Sequence, residues 1–557
     1  MANKTSDLKV DPQNEQLFNT FVPKIEKYRK ALQNGILEEY KLPDDAIPKE
    51  YGKDVTKIPE RFLNEKEREI TDLRAVDLAA AIAAGDYSAV EVFKAYAKRA
   101  TMAHQLTNCA MELFMDIGLA RARELDEFRA TTGKTVGRLH GVPVSLKEHF
   151  DYKGRITHAG YVGLIDHISD ETNTCAQILY DAGAVFYIRT TEPQMLMHFC
   201  SNNNITGLAK NPFNTALSTG GSSSGEGAMA AMKGSAFGVG SDLGGSIRCP
   251  AAFCGVWGLK PTQKRVPLTP FTPAGDRVQE NVASSLGPLA RSAADLDLFM
   301  QVQLEAKPWE KDATLIPLPW RDVAIPHPSH LKVAICYDDG VVKPTPPIIR
   351  GLQTAARKLV AAGVRVVEWE SFNVAELVDA CYRSYNADGN AGYVSLLKSS
   401  GEPLLKLSKF ELNQGCGFEA QSVADYERSA GLRDFNRNAY LQKMRELDVD
   451  FILSPAYTSV APVQETPHYW GYCNLWNILD FPNVVFPTGL ACDAKLDQLD
   501  LNACEARNET ERYERGLFSD ASLFEGAPIC LQLTGKRWRD EELVKASALV
   551  EDIVRSK

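Results

Sequence analysis

Short apolar runs alternate with helical patterns along most of the chain. The run AGAVFYIRT (residues 182–190) is continuously apolar over most of its length, as is typical of a strand covered on both faces. Further strands are predicted at LKVAICYD (331–338), VRVVEW (364–369), VDFILSPA (449–456) and APICLQLTG (527–535). A helical pattern such as IIRGLQTAARKLVAAG (348–363) lies between them. The alternation extends over about 400 residues and predicts an α/β fold, one large domain with a mixed, mostly parallel β-sheet covered by helices on both faces.

The N-terminal region has a different texture. Residues 1–65 are polar, carry a helical pattern and continue into a stretch with Pro43, Pro48 and Pro59, which predicts an N-terminal helical arm. Residues 66–557 would form the main domain. Three helices are predicted at its start. The first ends at Gly85, the second begins at a capping box of Ser88 and Glu91, and the third covers residues 108–130.

Composition narrows the class of protein. The chain has 62 Lys and Arg against 72 Asp and Glu, a net charge of −10, and 44% of its residues are hydrophobic. This balance is typical of a globular protein and argues against binding nucleic acid or anionic membranes. The first residues contain no apolar core of a secretory signal, and the twelve cysteines form no C-x-x-C pair. Residues 469–492 are the longest stretch poor in charge, but they contain an aspartate and two prolines, which argues against a membrane-spanning helix. We expect a cytoplasmic protein with reduced cysteines, and a buried, irregular segment at 469–492.

Glycine and serine are concentrated in one segment, residues 218–262. Nine glycines fall between positions 220 and 245. Gly238-Val-Gly240-Ser-Asp-Leu-Gly244 has the wrong spacing for a dinucleotide loop. Gly221-x-Ser223-x-Gly225 matches a nucleophile elbow, which would make the protein a histidine-dependent esterase that uses Ser223. The histidines downstream of that elbow are His327, His330 and His468, and the first two lie in a proline-rich loop.

A third interpretation covers the whole segment. GGSSSGEGA (220–228) and GVGSDLGGSIRCPAAFCGVWGLKPT (238–262) resemble the Gly/Ser-rich signature of the amidase signature family. Lys147 precedes Ser222 by 75 positions and Ser222 precedes Ser246 by 24, which agrees with the Lys–Ser–Ser triad of that family. QLTNCAMELF, LIPLPWR and SGEP are most similar to the fungal acetamidase or general amidase branch.

The resemblance implies roles for particular residues. Ser246 would be the acylated nucleophile, Ser222 the bridging serine after a cis peptide bond, and Lys147 the base. The remaining implied positions are the oxyanion-hole N–H groups of Leu243, Gly244, Gly245 and Ser246, the bracing side chains Ser223, Asp242 and Arg248, and Leu196 in the acyl pocket.

The chemistry requires an uncharged lysine. Keeping Lys147 neutral at pH 7 costs about 4–5 kcal/mol at its ordinary pKa, and burial can supply most of that change. The resemblance implies hydrolysis of a small carboxamide to a carboxylic acid and ammonia, and allows a homodimer. The nine histidines form no HExxH pair, so we expect no metal, and we also expect no cofactor and no nucleic-acid or membrane partner. A longer-chain, fatty-acid-type amide hydrolase and a non-catalytic subunit of a larger complex remain alternatives.

Overall fold

The protein is described here from a computed structural model that covers residues 8–273, 275, 280–501 and 505–556. Its strands are β1 (Ala110–Leu113), β2 (Pro143–Lys147), β3 (Val185–Thr190), β4 (Phe237–Asp242), β5 (Trp257–Lys260), β6 (Ser285–Ala290), β7 (Lys332–Ile335), β8 (Arg365–Glu368), β9 (Phe451–Pro455), β10 (Asn483–Ala491) and β11 (Pro528–Thr534). They form one mixed sheet in the order β1-β3-β2-β4-β6-β5-β10-β11-β9-β7-β8. The α/β fold with a single large sheet, predicted from the sequence, is confirmed.

Helices cover both faces of this sheet and are numbered in chain order. The first nine are α1 (Glu15–Asn34), α2 (Glu65–Asp72), α3 (Ala75–Ala84), α4 (Ala89–Thr107), α5 (Met115–Thr132), α6 (Thr174–Asp181), α7 (Ser224–Ala231), α8 (Arg248–Phe253) and α9 (Ala293–Glu305). The others are α10 (Pro346–Ala361), α11 (Val374–Tyr385), α12 (Ala391–Ser400), α13 (Lys406–Leu412), α14 (Val423–Glu446), α15 (Gly471–Ile478), α16 (Glu509–Gly516) and α17 (Asp540–Arg555). None of the helices within the described residues is both long and apolar enough to cross a membrane.

The direction of the strands differs from the sequence-based prediction. Strands β3, β2 and β4 run parallel, as do β9, β7 and β8. The pairings of the centre, from β4 through β6, β5, β10 and β11 to β9, are antiparallel, and so is the β1–β3 pair. The expected parallel majority is therefore wrong. The reason is that the Gly-rich strands β4–β6 and the strand β10 carry too few alternating apolar residues to be recognised before folding.

Two local predictions were also wrong at their boundaries. The helix predicted over 108–130 begins as strand β1, because its apolar start pairs antiparallel with β3, and α5 follows at Met115. The segment 469–492 is largely buried as expected, but it contains the whole of α15 and β10 rather than irregular backbone. Tertiary pairing decided both cases over local pattern.

Other local predictions are confirmed by capping geometry. The Ser88 hydroxyl accepts the Glu91 N–H at 3.1 Å and the Glu91 carboxylate accepts the Ser88 N–H at 3.3 Å, so α4 begins with a capping box. Gly85 ends α3 with a left-handed φ of 95°. In the N-terminal segment, α1 packs through Ile25 against a small buried cluster of the main body, formed with Val162, Ile165 and Ile205.

Candidate active site

Two neighbouring parallel strands end at the candidate site. Lys147 is the last residue of β2, and Asp242 is the last residue of β4. The carboxyl ends of parallel strands lie at the same edge of a sheet, so the side chains there are close together. Ser222 and Ser223 lie just before α7, and the loop from Leu243 onward connects β4 to α8.

Lys147 is completely buried and contacts two hydroxyl groups. Its Nζ lies 2.7 Å from Ser222 Oγ and 3.0 Å from Ser241 Oγ. Burial lowers the pKa of Lys147 to about 8, against the opposing effect of the carboxyl groups of Glu192, Asp242 and Glu226. Desolvation disfavours the charged ammonium form and so increases the fraction of neutral amine near pH 8.

The serine-rich loop connects the parts of the site. The Gly221–Ser222 peptide bond is cis, as the resemblance implied. The Ser223 N–H donates to the carbonyl of Ser246 at 3.0 Å, and Ser223 Oγ contacts both the N–H and the carbonyl of Ser241 at 3.3 Å. Ser223 therefore binds the loop that carries Ser222 to the end of β4 and to the loop that carries Ser246.

A buried ion pair holds the loop between β4 and α8. The Asp242 carboxylate receives Nε and Nη2 of Arg248, each at 3.0 Å, and it also accepts the N–H groups of Gly245 and Ile247. Burial alone would raise the pKa of Asp242, but the Arg248 guanidinium outweighs this and holds that pKa well below its ordinary value. Both side chains have no exposure, and Arg248 also donates to Asn483 Oδ1. Asp242 and Arg248 thus hold the loop between β4 and α8 through charge-assisted hydrogen bonds.

The oxyanion-hole prediction needs one correction. The Gly245 N–H donates to Asp242 Oδ1 at 2.9 Å and is not free to bind a developing oxyanion. The described hydrogen bonds engage none of the N–H groups of Leu243, Gly244 and Ser246, so these three remain candidate donors. Gly245 has φ +130°, and a Cβ there would lie 2.6 Å from the Cβ of Cys473. Its requirement for glycine is therefore conformational and steric.

A cavity of about 570 Å³ opens beside these groups. Ser222, Ser246, Leu243 and Gly244 line it, together with Leu196, which was predicted to line an acyl pocket. Apolar and aromatic side chains contribute much of the remaining wall, including Met197, Leu268, Phe271, Tyr393 and Trp470. Ser246 and Ser222 therefore line the same cavity.

One buried group within the described residues could in principle hold a metal ion. Ligand-type atoms of Glu148, His158 and Glu192 lie within 4.8 Å of one another. However, His158 Nδ1 accepts the Gly160 N–H at 3.1 Å, so the ring hydrogen lies on Nε2, 3.5 Å from Glu148 Oε1. Arg189 lies 3.4 Å from the same oxygen. The histidine offers no lone pair and the carboxylate already has a cation, so this donor set does not fit a metal ion.

The nucleophile-elbow interpretation finds no support in the geometry. His327 and His330 belong to a short helical turn at residues 328–330 and its cap, where His327 contacts Ser329. The His468 ring is stacked between Phe410 and Tyr513. Within the described residues, the hydrogen bonds of Ser223 connect it to the backbone of β4, of α7 and of the loop at Ser246, and to no histidine.

Sequence reasoning missed two residues of the site. Ser241 contacts Lys147, and His149 Nε2 lies 2.9 Å from Ser241 Oγ. Both are polar residues next to predicted site residues, His149 two residues after Lys147 and Ser241 immediately before Asp242. Their contact, however, depends on the pairing of β2 with β4, which the sequence did not reveal.

Comparison with known proteins agrees with this geometry. The amidase family model matches residues 91–544. A Schizosaccharomyces pombe protein named as an amidase is 40% identical over 93% of this chain and 97% of its own length, and the acetamidase of Aspergillus oryzae is 36% identical over 94% and 96%. A solved structure of a fatty acid amide hydrolase superposes with a TM-score of 0.96 at 45% identity, over 99% of this chain and 98% of that one. The chain belongs to the amidase signature family and is an amide-hydrolysing enzyme.

Proposed function

We propose that the enzyme cleaves amides through an acyl-enzyme on Ser246, with Ser222 as the bridging serine and Lys147 as the base. The observation that carries this proposal is the 2.7 Å separation of Lys147 Nζ and Ser222 Oγ beside a cavity that Ser246 also lines. The neutral amine accepts the proton of Ser222 as Ser222 accepts that of Ser246, and Ser246 Oγ attacks the amide carbon.

The second half of the reaction reverses the proton path. Leu243, Gly244 and Ser246 offer N–H groups to the oxyanion, and each such donor contributes about 3–4 kcal/mol in the transition state. The protonated Lys147 returns its proton through Ser222 to the leaving nitrogen, which departs as ammonia or an amine. Water then attacks the ester on Ser246 and releases the carboxylic acid.

Trapping the acyl-enzyme tests the triad. After rapid acid quench with a substrate amide, mass spectrometry should locate one acyl group on the peptide that contains Ser246. Ser246→Ala should abolish the adduct and lower kcat by at least about 10³-fold. Ser284→Ala is the matched control, because Ser284 lines the same cavity outside the triad. An adduct on Ser223, or full turnover by Ser246→Ala, would refute the proposal.

The cavity favours an acyl group larger than that of acetamide, and hence the longer-chain alternative. Cavities of about 300–1,000 Å³ typically hold drug-sized ligands, whereas one water molecule occupies about 30 Å³ in the liquid. Acetamide would leave most of the 570 Å³ unfilled. The structural relative named as a fatty acid amide hydrolase supports the same direction.

A series of primary amides of increasing acyl length tests this preference. Each methylene that enters the cavity contributes about 0.8 kcal/mol, about fourfold in kcat/KM. Leu268→Trp, which narrows the cavity, should lower kcat/KM for long amides and leave acetamide hydrolysis unchanged, while Leu523→Trp at an exposed position should change neither. A kcat/KM that falls with every added carbon would support the small-carboxamide expectation instead.

A further inference from the structure

His149 lines the cavity and is joined to Lys147 through the hydroxyl of Ser241. It follows Lys147 by two residues, is 2% exposed, and its ring lines the cavity together with Ser222 and Ser246. The ring is held by aromatic neighbours, with the Phe150 centroid at 4.6 Å. Its orientation is therefore fixed by packing as well as by hydrogen bonds.

The hydrogen bonds of His149 define its tautomer. Nδ1 lies 3.1 Å from the carbonyl oxygen of Thr272, and because a carbonyl can only accept, Nδ1 carries the hydrogen. Burial, reinforced by the charge of Lys147, holds the pKa of His149 well below its ordinary value, so the ring is neutral. Nε2 is then an acceptor, and the hydroxyl of Ser241 at 2.9 Å donates to it.

This donation fixes the direction of the Ser241 hydroxyl. With its hydrogen directed at His149, Ser241 Oγ presents only lone pairs to Lys147 Nζ, 3.0 Å away. It can accept an N–H of the neutral lysine but cannot donate to the lone pair of Nζ. That lone pair is left for the hydroxyl of Ser222 at 2.7 Å.

We propose that His149 is a positioning residue that acts through Ser241 to direct the lone pair of Lys147 toward Ser222. The inference rests on the proposed triad and goes beyond it. Without the acceptor at position 149, the Ser241 hydroxyl is free to rotate and to donate to Lys147, where it competes with Ser222 for the one lone pair of the amine.

The charged and polar groups that act on Lys147 and His149 set the direction of the expected pH shift. Glu192, Asp242 and Glu226 act on Lys147, while Lys147 and the Thr272 carbonyl act on His149. Removing the imidazole leaves the three carboxyl groups in place. A Ser241 hydroxyl that donates to the amine stabilises its neutral form, so the acid limb of the pH profile should move to lower pH.

The test compares His149→Phe, Ser241→Ala, the double variant and His149→Gln. His149→Phe should lower plateau kcat about tenfold, leave KM within about twofold, and shift the acid limb downward. In the double variant the competing hydroxyl is gone, so its kcat should be no lower than that of His149→Phe. His149→Gln offers a carbonyl acceptor to Ser241 and should recover part of the loss.

Three outcomes would overturn the inference. The first is an unchanged kcat in His149→Phe. The second is a loss of kcat in the double variant equal to the product of the two single losses. The third is a rise in KM with unchanged kcat in His149→Phe, which would indicate that the ring binds substrate. Ser241→Ala, which removes one hydroxyl only, gives the comparison if the aromatic variant fails to fold. Failure of the triad itself would appear separately, as an acyl adduct on a serine other than Ser246.

Discussion

If Lys147 is the base, as proposed, the pH dependence of amide hydrolysis follows from the protonation state of its amine. With a pKa of about 8, Lys147 is about 90% neutral at pH 9 and about 1% neutral at pH 6. Because only the neutral form can accept a proton, kcat/KM for a primary amide should fall about 90-fold between these values, with unit slope below pH 8. A lysine with an ordinary pKa of about 10.4 would be only about 0.04% neutral at pH 7, against about 10% here.

A second titrating group near the site requires a control. Burial raises the pKa of Glu226 to about 7, partly offset by its hydrogen bonds with Ser145 and Thr190, so Glu226 could produce a limb in the same range. Glu226→Gln separates the two groups. If Lys147 controls the rate, the limb persists in this variant and moves to lower pH, because a carboxyl group that raises the lysine pKa has been removed. A wild-type profile that is flat from pH 6 to pH 9, or a limb that disappears in Glu226→Gln, would refute the reasoning.

Three further predictions concern stability and the loop geometry. Because the pKa of Lys147 is lowered to about 8 in the folded state, the free energy of unfolding should rise as pH increases from 8 to 10.5. Lys147→Met should raise the free energy of unfolding at pH 7 by up to about 3 kcal/mol in urea titrations and should abolish turnover. A decrease in that free energy would contradict the buried-amine argument. Gly244→Ala places a Cβ 2.7 Å from Asn474 Oδ1 and should lower kcat about 10²-fold. Gly431→Ala is the control and should leave kcat unchanged, because nothing lies within 4 Å of its Cβ. Equal kcat values for the two variants would show that the loop tolerates the side chain. Arg248→Leu leaves the buried carboxylate of Asp242 without its cation and should lower the free energy of unfolding by about 3–5 kcal/mol. Arg512→Leu removes one partner of an exposed ion pair and should leave the urea midpoint unchanged.

Much of the site could be identified before the fold was described. Ser222 and Ser246 lie in a dense local signature, and glycines and serines in that number fit few structures other than a loop that approaches a ligand closely. Lys147 lies 75 positions before Ser222, outside that segment, and its role is implied by the family resemblance. The family resemblance implied the cis bond at Ser222, which the structure contains, and a bracing role for Arg248, whose guanidinium donates to Asp242. A local signature carries this information because its residues are neighbours in the chain.

The remaining features depend on which strands became neighbours. The pairing of β2 with β4 brings Ser241 to Lys147, and the carbonyl of Thr272 selects the tautomer of His149; no sequence period encodes either contact. The same holds for the Gly245 N–H, which binds Asp242 rather than a substrate, and for the wall of the cavity, which is built from distant segments. The sequence alone determined which reactive groups are present and their order. Burial of the Lys147 amine, its hydrogen-bond partners and the volume of the cavity were decided by tertiary packing, because desolvation and hydrogen-bond geometry exist only once the strands and loops are assembled.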